Sequence, residues 1–577
     1  MSAHASTVAV RPDRLRRAIL CAGLLIGMLW PVCAVEAALA NRNRRGLRTV
    51  SIEGVLRLAE EEIDIGTAAL ILSRDWGTTR TLHSYRRRID TMAETIQKTL
   101  RDQRLPTDHR ALPIINDYLF EQQGFRAVET AEDPEDLFLH VVLDRKRGYC
   151  LSLSILYLAI GERLGLPLYG VVVPGHFFVR YDDGRTRLNI ETTSNGAIVD
   201  DQYYRDNFTP PDRPQSLYMQ NLTRRQTLGC FYNNLGNSYN QVGMTDEAFS
   251  ALRRAVELAP QLGEAHTNLG NMYLRRQMYR QAIASYEQAL SLLERDAITL
   301  NNIAIARLRV KQYARAEAAL KAALQLDPEY IEAYHNLALV YQAQDLIDTA
   351  IAQVHRAIAL QPERADHYLL LGQITRQANR LDDARQHLDT ALTFDPGLFE
   401  ARIALGAIHL DLGRPSSAIT QFHAALDGAP NSVQAYFGLA QAYNALGQID
   451  SEIWAYEEAL RIDPHMSAAL QNLGNAMMTI DRFDRAAAYY RQAVALEPTN
   501  AGLYYNLGVA LSRQDMLEDA IEAFVQAVEL DPAGGAAYNG LAIAYYHLHE
   551  YELSYHYAQQ AQRLGAEVQE ILLQKPR

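Results

Sequence analysis

Prolines recur through the C-terminal part of the chain at intervals of 34 residues or a multiple of 34. They stand at positions 260, 328, 362, 396, 430, 464, 498 and 532, and Glu294 occupies the one position at which the series is broken. A constant period of this length is typical of stacked structural units, because each unit has to present the same faces to its neighbours. The period therefore predicts a repeat array in this part of the chain.

Two columns of small residues follow the same period. The first column holds only Gly or Ala: Gly236, Gly270, Ala304, Ala338, Gly372, Gly406, Ala440, Gly474, Gly508 and Ala542. The second column holds only Ala: Ala255, Ala289, Ala323, Ala357, Ala391, Ala425, Ala459, Ala493, Ala527 and Ala561. Small side chains at fixed positions let two helices approach closely within each unit. We therefore predict ten helix pairs over residues 229–566, followed by a C-terminal cap or tail at 567–577.

The period and its Gly/Ala, Ala and Pro positions resemble the tetratricopeptide repeat (TPR), a helix–turn–helix unit that stacks into a superhelix. The resemblance implies an α-solenoid that binds a protein or peptide ligand and does no chemistry itself. The predicted fold of the whole chain is therefore mostly α.

A column of asparagines, two residues before the first small column, is a candidate ligand-binding feature. Its members are Asn234, Asn268, Asn302, Asn336, Asn472 and Asn506, with Leu370, Ala404 and Gly438 interrupting the series. An Asn amide offers donors and an acceptor, which match the N–H and C=O groups of an extended peptide. A similar ladder lines the repeats of O-linked N-acetylglucosamine transferases, which this array resembles, although no glycosyltransferase domain is present. The alternative is that these side chains bond neighbouring backbone groups and bind nothing.

Composition and net charge exclude several classes of protein. The 577 residues are 48% hydrophobic and 21% charged, which excludes a disordered chain. The net charge of −12 argues against a nucleic-acid partner, because such binding requires a basic face. Only Cys150 and Cys230 of the four cysteines lie outside the N-terminal apolar stretch, which excludes a disulfide scaffold.

The first 40 residues have the layout of an export signal. Basic residues, including Arg16 and Arg17, precede an apolar run at 18–35, and a small-residue stretch follows at 38–40. An uncleaved membrane anchor is the alternative, since the run approaches the length of a spanning helix. Arg42 and Arg44 oppose translocation of this flank. We expect an exported protein, either periplasmic or anchored at the outer side of the inner membrane, with no other membrane contact.

The middle of the chain brings together residues that thiol chemistry requires. Cys150 stands at the start of an apolar, helix-like run that ends before Pro167. His176 opens the second of three strand-like runs, and Glu191 lies on the third. A helix N-terminus stabilises a thiolate, a histidine can exchange its proton, and a carboxylate can orient the histidine. Adjacent antiparallel strands joined by a short turn are expected to bring His176 and Glu191 close together.

This stretch resembles the transglutaminase-like superfamily, specifically its short bacterial branch. The resemblance rests on the run GYCLSLSILYLAIGERLGLPLYGVVVPGHFFVRY at 148–181 and on NIETT at 189–193. It implies an α+β transglutaminase/papain-like domain, which we place at 41–212, with a linker at 213–228. The resemblance assigns Cys150 as the nucleophile and His176 as the base. Glu191 stands at the position that usually holds Asp in this superfamily.

Two functions remain open at this stage. The first is an exported cysteine amidase, protease or acyltransferase that acts on a protein or peptide amide held by the array. The second is a non-catalytic adaptor, in which the thiol domain is silent and Cys150 is only a packing residue. Cys230 is interpreted as a packing residue, and a disulfide between Cys150 and Cys230 would abolish thiol chemistry. No metal-ligand spacing, Walker loop or dinucleotide-binding motif is present, so we predict neither a metal nor a cofactor.

Overall fold

The computed structural model describes residues 45–74, 81–128, 133–293 and 296–574. The predicted export segment at 1–40 lies outside these residues, as does Glu294. Among the residues described, no helix is both long and apolar enough to span a bilayer. The chain divides into two compact units, Met1–Tyr330 and Ile331–Arg577.

The first unit begins with a helical layer. The helices are α1 Ile52–Leu56, α2 Ile65–Leu72, α3 Leu82–Asp102, α4 Leu112–Asn116 and α5 Leu139–Arg145, and a π-helical stretch, Asp117–Gln122, extends α4. Helix α3 begins after Thr81, whose side chain accepts the Ser84 N–H. It buries Tyr85, Ile89 and Ile96 on one face at helical spacing, so this layer is held by an amphipathic helix.

A buried helix and a four-stranded antiparallel sheet form the centre of the first unit. Helix α6, Cys150–Leu164, is buried along most of its length and packs against α3, β3 and β4. The strands, in sheet order, are β3 Leu168–Val173, β4 His176–Asp182, β5 Arg187–Glu191 and β6 Ala197–Val199, after a short parallel pair of β1 Arg126–Ala127 and β2 Arg147–Gly148. The sequence predicts β3, β4 and β5, whereas β1, β2 and β6 are too short to produce a periodic pattern.

Tight turns fix the register of this sheet. Val173 pairs with His176, so Pro174 and Gly175 form a two-residue hairpin loop. Gly175 has a φ of +71°, which favours glycine at this position. The turn after β4 is closed by Asp183, whose carboxylate accepts the N–H groups of Arg185 and Thr186. Both turns therefore have a local chemical cause that is visible in the sequence.

Helix α7 spans Asp201–Phe208. The segment at 209–223 that follows this helix is packed and does not act as a free hinge. Leu217, Tyr218 and Leu222 are buried. The N–H groups of Met219 and Leu222 donate to the carbonyls of Val172 and Gly170 on β3. The predicted linker at 213–228 is therefore firmly packed against β3, and its last residues belong to a helix that begins at Arg224.

Three helix pairs complete the first unit. They are α8 Arg224–Gln241 with α9 Thr245–Leu258, α10 Gly263–Arg275 with α11 Tyr279–Leu292, and α12 Ala297–Arg309 with α13 Tyr313–Leu326. Helix α8 starts at a capping box in which Thr223 and Gln226 each accept the other residue's backbone N–H.

Seven further helix pairs form the second unit. Their helices are α14 Ile331–Ala343, α15 Ile347–Leu360, α16 Ala365–Gln377, α17 Leu381–Phe394, α18 Phe399–Asp411, α19 Pro415–Gly428, α20 Val433–Ala445, α21 Ile449–Ile462, α22 Ser467–Thr479, α23 Phe483–Leu496, α24 Ala501–Ser512, α25 Leu517–Leu530, α26 Gly535–His547 and α27 Tyr551–Arg563. A 3-10 turn, Glu570–Leu573, follows and buries Leu572 against Ala542 and Ala558.

The small columns lie where paired helices come closest. A Cβ atom on Gly270 would lie 2.5 Å from the Tyr286 ring, and one on Gly474 would lie 2.6 Å from the Tyr490 ring. Ala255 and Ala459, from the second column, are fully buried. The predicted fold class, a small α+β region followed by paired helices, is confirmed.

Candidate active site

Cys150 is the first residue of α6 and is a half-buried free thiol. The helix start is fixed by Ser152, whose hydroxyl accepts the Tyr149 N–H at 2.8 Å and donates to the Asp136 carbonyl at 2.8 Å. The free N–H groups and the positive dipole end of a helix favour negative charge at such a position. Cys150 therefore stands at the positive end of the α6 dipole.

His176 and Glu191 meet beside this helix start. The Nε2 atom of His176 lies 2.8 Å from Oε2 of Glu191, and the same imidazole hydrogen-bonds the Cys150 thiol. Glu191 Oε2 also accepts the Tyr204 hydroxyl at 2.9 Å, and Oε1 accepts the Thr193 N–H at 3.0 Å. The structure thus brings the three predicted catalytic residues together in one chain of hydrogen bonds.

Helix α7 covers the histidine. The rings of His176 and Phe208 stack with centroids 4.6 Å apart and 11° between their planes. Tyr204, on the same helix, stacks on Phe178 and is fully buried. These contacts shield the hydrogen bond between His176 and Glu191 from water, which strengthens its electrostatic component.

The surroundings of His176 and Glu191 favour the charged form of each side chain. Burial lowers the pKa of His176, but the hydrogen bonds and charges of Cys150 and Glu191 outweigh burial and raise that pKa to about 9. Burial raises the pKa of Glu191, but the hydrogen bond and charge of His176, with the bonds from Thr193, bring it below its usual value. An imidazolium beside a carboxylate is therefore the favoured state at neutral pH.

A fully buried arginine ties the sheet to α7. Arg180 on β4 donates from Nε to Asn189 at 2.6 Å, from Nη1 to the Met219 carbonyl at 2.8 Å and from Nη2 to Asp201 at 2.7 Å. Asn189 also donates to Asp201 at 2.8 Å. These bonds hold β4, β5 and the start of α7 together, and so hold the elements that carry His176, Glu191 and Phe208.

The thiol opens into a cavity of about 450 Å³. Cys150, Val172 and His176 contribute to one side of it, and residues of α8 and α10 form the other side. The members from α8 and α10 include Cys230, Asn233, Asn234, Asn237, Glu264, Asn268 and Asn271. Part of the repeat array is therefore one wall of the cavity that holds the thiol.

Both parts of the chain that line this cavity match known protein families. Residues 83–229 match the transglutaminase-like superfamily. Matches to tetratricopeptide repeats cover 227–295, 267–331, 335–398, 403–467, 480–515 and 501–533. The chain is a transglutaminase-like domain followed by tetratricopeptide repeats. This organisation confirms the two resemblances that the sequence shows.

Relatives and solved structures share parts of this chain. A UPF0162 protein of Xylella fastidiosa (strain 9a5c) is 27% identical over 218 residues, covering 36% of this chain and 75% of that protein. F-box only protein 21 of Mus musculus is 33% identical over 102 residues, covering 17% of this chain and 15% of that protein. A crystal structure of a thermophilic TPR protein of Thermus thermophilus is 23% identical, covers 32% of this chain and 99% of that chain, and has a TM-score of 0.29. Neither of the two relatives' names specifies a reaction.

The predicted asparagine column has different surroundings in the two units. Asn234 and Asn268 line the thiol cavity, whereas Asn302 donates to Asn271 at 3.0 Å and accepts from Asn301 at 3.2 Å. In the second unit Asn336, Asn472 and Asn506 are all half-buried, and Asn472 hydrogen-bonds Tyr456. Part of the column's hydrogen-bonding capacity is therefore used by side chains of neighbouring helices, and not by the backbone groups that the alternative names.

Sequence reasoning missed several residues of the cavity. Asn237 and Asn271 stand directly after the first small column, and Asn475 repeats the pattern, so the 34-residue period contains a signal for them. Glu264 had no such signal. It hydrogen-bonds the Tyr218 hydroxyl and the Gly175 backbone N–H, and burial raises its pKa despite these bonds. Glu264 thus connects the second TPR to the turn that precedes His176.

The two cysteines of the cavity are both free thiols, so the disulfide considered from the sequence is not formed. Cys230 is buried in α8, and burial, followed by the charge of Glu264, raises its pKa. It therefore stays protonated and fills space, as its interpretation as a packing residue supposes. Within the described ranges, no cluster of three or more His, Cys, Asp and Glu residues is arranged to hold a metal ion.

Proposed function

We propose that this protein catalyses acyl transfer from a protein or peptide amide, with Cys150 as nucleophile, His176 as acid and base, and Glu191 as the group that orients His176. The observation that carries the proposal is the hydrogen-bonded series Cys150–His176–Glu191 at the edge of a cavity large enough for a ligand. Glu in place of Asp retains the carboxylate that the role requires.

The reaction follows from the charges at the site. The Cys150 sulfur attacks the amide carbonyl carbon, and the C–N bond breaks as the imidazolium of His176 donates its proton to the departing amine. The product is a thioester on Cys150 and a neutral His176. Water or a second amine then attacks the thioester and gives its proton to His176, which restores the thiolate–imidazolium pair. Water as acceptor gives hydrolysis, and an amine gives transamidation.

The tetratricopeptide repeats hold the protein that supplies the amide or accepts the acyl group. TPR arrays typically mediate protein binding, because stacked repeats present a long continuous surface. The net charge of −12 argues against a nucleic-acid ligand for this surface.

Export is part of this proposal and rests on the sequence of residues 1–40. An exported location places the thiol in an oxidising compartment, where a reactive cysteine can be oxidised. The reaction would then require a reduced form of the protein.

A reporter ester tests the proposed chemistry without knowledge of the natural substrate. Incubation with p-nitrophenyl acetate is expected to acetylate Cys150, and neutral hydroxylamine is expected to remove the acetyl group, as it does from thioesters. Peptide mass spectrometry resolves each cysteine of the full chain, so buried Cys230 is the internal control. Cys150→Ser is expected to lose both the acetylated peptide and the p-nitrophenol burst.

The comparison that decides this test is with glutathione, a thiol without a protein site. Acetylation of Cys150 no faster than that of glutathione at the same pH would refute the thiol enzyme and favour the adaptor function. In that case the transglutaminase-like domain would serve only as a folded platform.

The pH dependence of stability tests the His176–Glu191 pair separately. The pKa of His176 is raised from 6.5 to about 9, so the folded protein binds this proton more tightly than the unfolded chain does. The resulting stabilisation is complete below pH 6.5 and is lost as the pH rises through about 9. The pKa of Glu191 is lowered, so its contribution is present above its usual value of 4.5 and is lost in acid.

Glu191→Gln removes the charge that supports the protonated histidine. We expect the variant to be less stable than the wild type by about 1–2 kcal/mol between pH 5.5 and 6.5, with the difference shrinking as the pH approaches 10. The measurement is the urea concentration at which Cys230 becomes available to a short pulse of iodoacetamide. A difference that stays constant from pH 6 to pH 10 would show that the pair is not ionised as described.

A further inference from the structure

The first two tetratricopeptide repeats contribute polar side chains to the cavity that holds Cys150. Asn234 and Asn237 come from α8, and Asn268 and Asn271 come from α10. All four stand at matching positions of consecutive repeats, 34 residues apart. Their amides therefore face the thiol's cavity as a regular set.

Hydrogen bonds within the protein use only some of the donors and acceptors of the asparagines that line this side of the cavity. Asn271 Oδ1 accepts the Tyr286 hydroxyl at 2.7 Å and the Asn302 amide at 3.0 Å, so both of its lone pairs are used and its NH₂ group remains. Asn268 donates to Asn233 at 3.0 Å and retains its carbonyl oxygen. Asn237 is exposed, and the described part of the chain offers its side chain no hydrogen-bond partner.

We infer that the first two repeats form the substrate-binding wall of the thiol site, with Asn237 and the NH₂ group of Asn271 binding the main chain of the acyl substrate. The inference rests on the proposed function. Donors and acceptors side by side match the alternating C=O and N–H groups of an extended peptide. The four asparagines are uncharged and suit main-chain groups, whereas Glu264 on the same wall already bonds Tyr218 and the Gly175 backbone N–H.

This arrangement gives the repeats a part in the reaction beyond holding a distant partner. A peptide bound along the asparagines has its main chain fixed beside Cys150, and orientation of this kind accelerates attack by the thiolate. A small electrophile that does not contact the asparagines reacts with Cys150 at a rate that does not depend on them. Variants of the wall should therefore affect peptide reagents selectively.

The test compares two alkylating reagents on the full-length protein. One is acetyl-Ala-Ala-Ala chloromethyl ketone, which carries a peptide main chain, and the other is iodoacetamide. We expect the double variant Asn237→Ala, Asn271→Ala to react with the peptide reagent at Cys150 about tenfold more slowly than the wild type, since two main-chain hydrogen bonds are lost. The iodoacetamide rate is expected to stay within about twofold, because that reagent makes neither bond.

The chain supplies a matched control. Asn475 accepts the Tyr490 hydroxyl at 2.6 Å, as Asn271 accepts Tyr286, but it does not line the thiol cavity. Asn475→Ala should leave both rates unchanged. Asn237→Ala alone removes an exposed side chain without a partner, so it keeps the test valid if the double variant folds poorly.

The outcomes separate this inference from the proposed function. Equal slowing of both reagents, or equal effects of Asn475→Ala and Asn271→Ala, would overturn the inference that the wall binds peptide. Cys150 acetylation by p-nitrophenyl acetate would still occur in that case and would leave the proposed chemistry intact. Selective slowing of the peptide reagent supports the inference.

Discussion

Replacing His176 with alanine is expected to slow the reaction of Cys150 with iodoacetamide at pH 7 by about tenfold. Iodoacetamide reacts with the thiolate, which is only about 3% of an ordinary thiol with a pKa of about 8.5 at this pH, and a neighbouring imidazolium increases that fraction. The gain in rate is smaller than the gain in thiolate, because a more acidic thiol gives a less nucleophilic thiolate. The hydrogen bond from His176 is the contact that distinguishes Cys150 from an ordinary thiol at a helix start. Its removal should leave only the smaller contribution of the helix dipole.

The measurement is the rate of carbamidomethylation at Cys150, followed by peptide mass spectrometry across pH 5 to 9. His266→Ala is a suitable control, because His266 is also buried in the first unit and, among the residues that the structure describes, its side chain bonds the Pro260 carbonyl alone. We expect that control to react like the wild type. A His176→Ala rate within twofold of the wild type would mean that the imidazole does not act on the thiol.

The repeats and the order of the candidate site residues were predictable because both depend on local patterns. Gly270 and Gly474 occur with a fixed period since larger side chains would meet Tyr286 and Tyr490. The approach of His176 to Glu191 follows from the short turn between the consecutive antiparallel strands β4 and β5. Sequence separation is small in each case, so the chain has few alternative ways to close.

The shape of the cavity depended on contacts that no local pattern records. Glu264 reaches the turn before His176 from a helix far along the chain, and Asn271 enters the same cavity from that helix. Both contacts depend on how the segment between the domains packs on β3, and its sequence is compatible with a hinge as well as with burial. Because several arrangements of this segment are compatible with its sequence, the sequence alone does not predict which side chains line the cavity.

Arg180 provides the clearest case of a site residue whose role depends on burial. Its guanidinium is fully buried and donates to Asn189, Asp201 and the Met219 carbonyl. Burying a charge is costly, and a buried ion pair can contribute little compared with apolar packing. Truncating one partner is different, because the remaining polar groups lose their hydrogen bonds while they stay away from water.

Arg180→Ala should therefore destabilise the first unit by about 3 kcal/mol, from unpaired groups and an unfilled volume together. A loss of this size should lower the urea concentration at which Cys230 becomes alkylated by about 1 M. Arg187→Ala is the control, since Arg187 makes an exposed ion pair with Asp182 and its loss should cost well under about 1 kcal/mol.

Arg180→Met distinguishes the two causes of this destabilisation, which are the lost hydrogen bonds and the unfilled volume. Methionine fills most of the volume but leaves Asn189 and the Met219 carbonyl without their donor, so we expect it to recover only a small part of the urea midpoint. A full recovery would mean that Arg180 contributes packing and not hydrogen bonds. Helix α7 would then be held over His176 by the Asn189–Asp201 hydrogen bond and the contacts of Tyr204 and Phe208, and the rate of Cys150 alkylation should be the same in Arg180→Met as in the wild type.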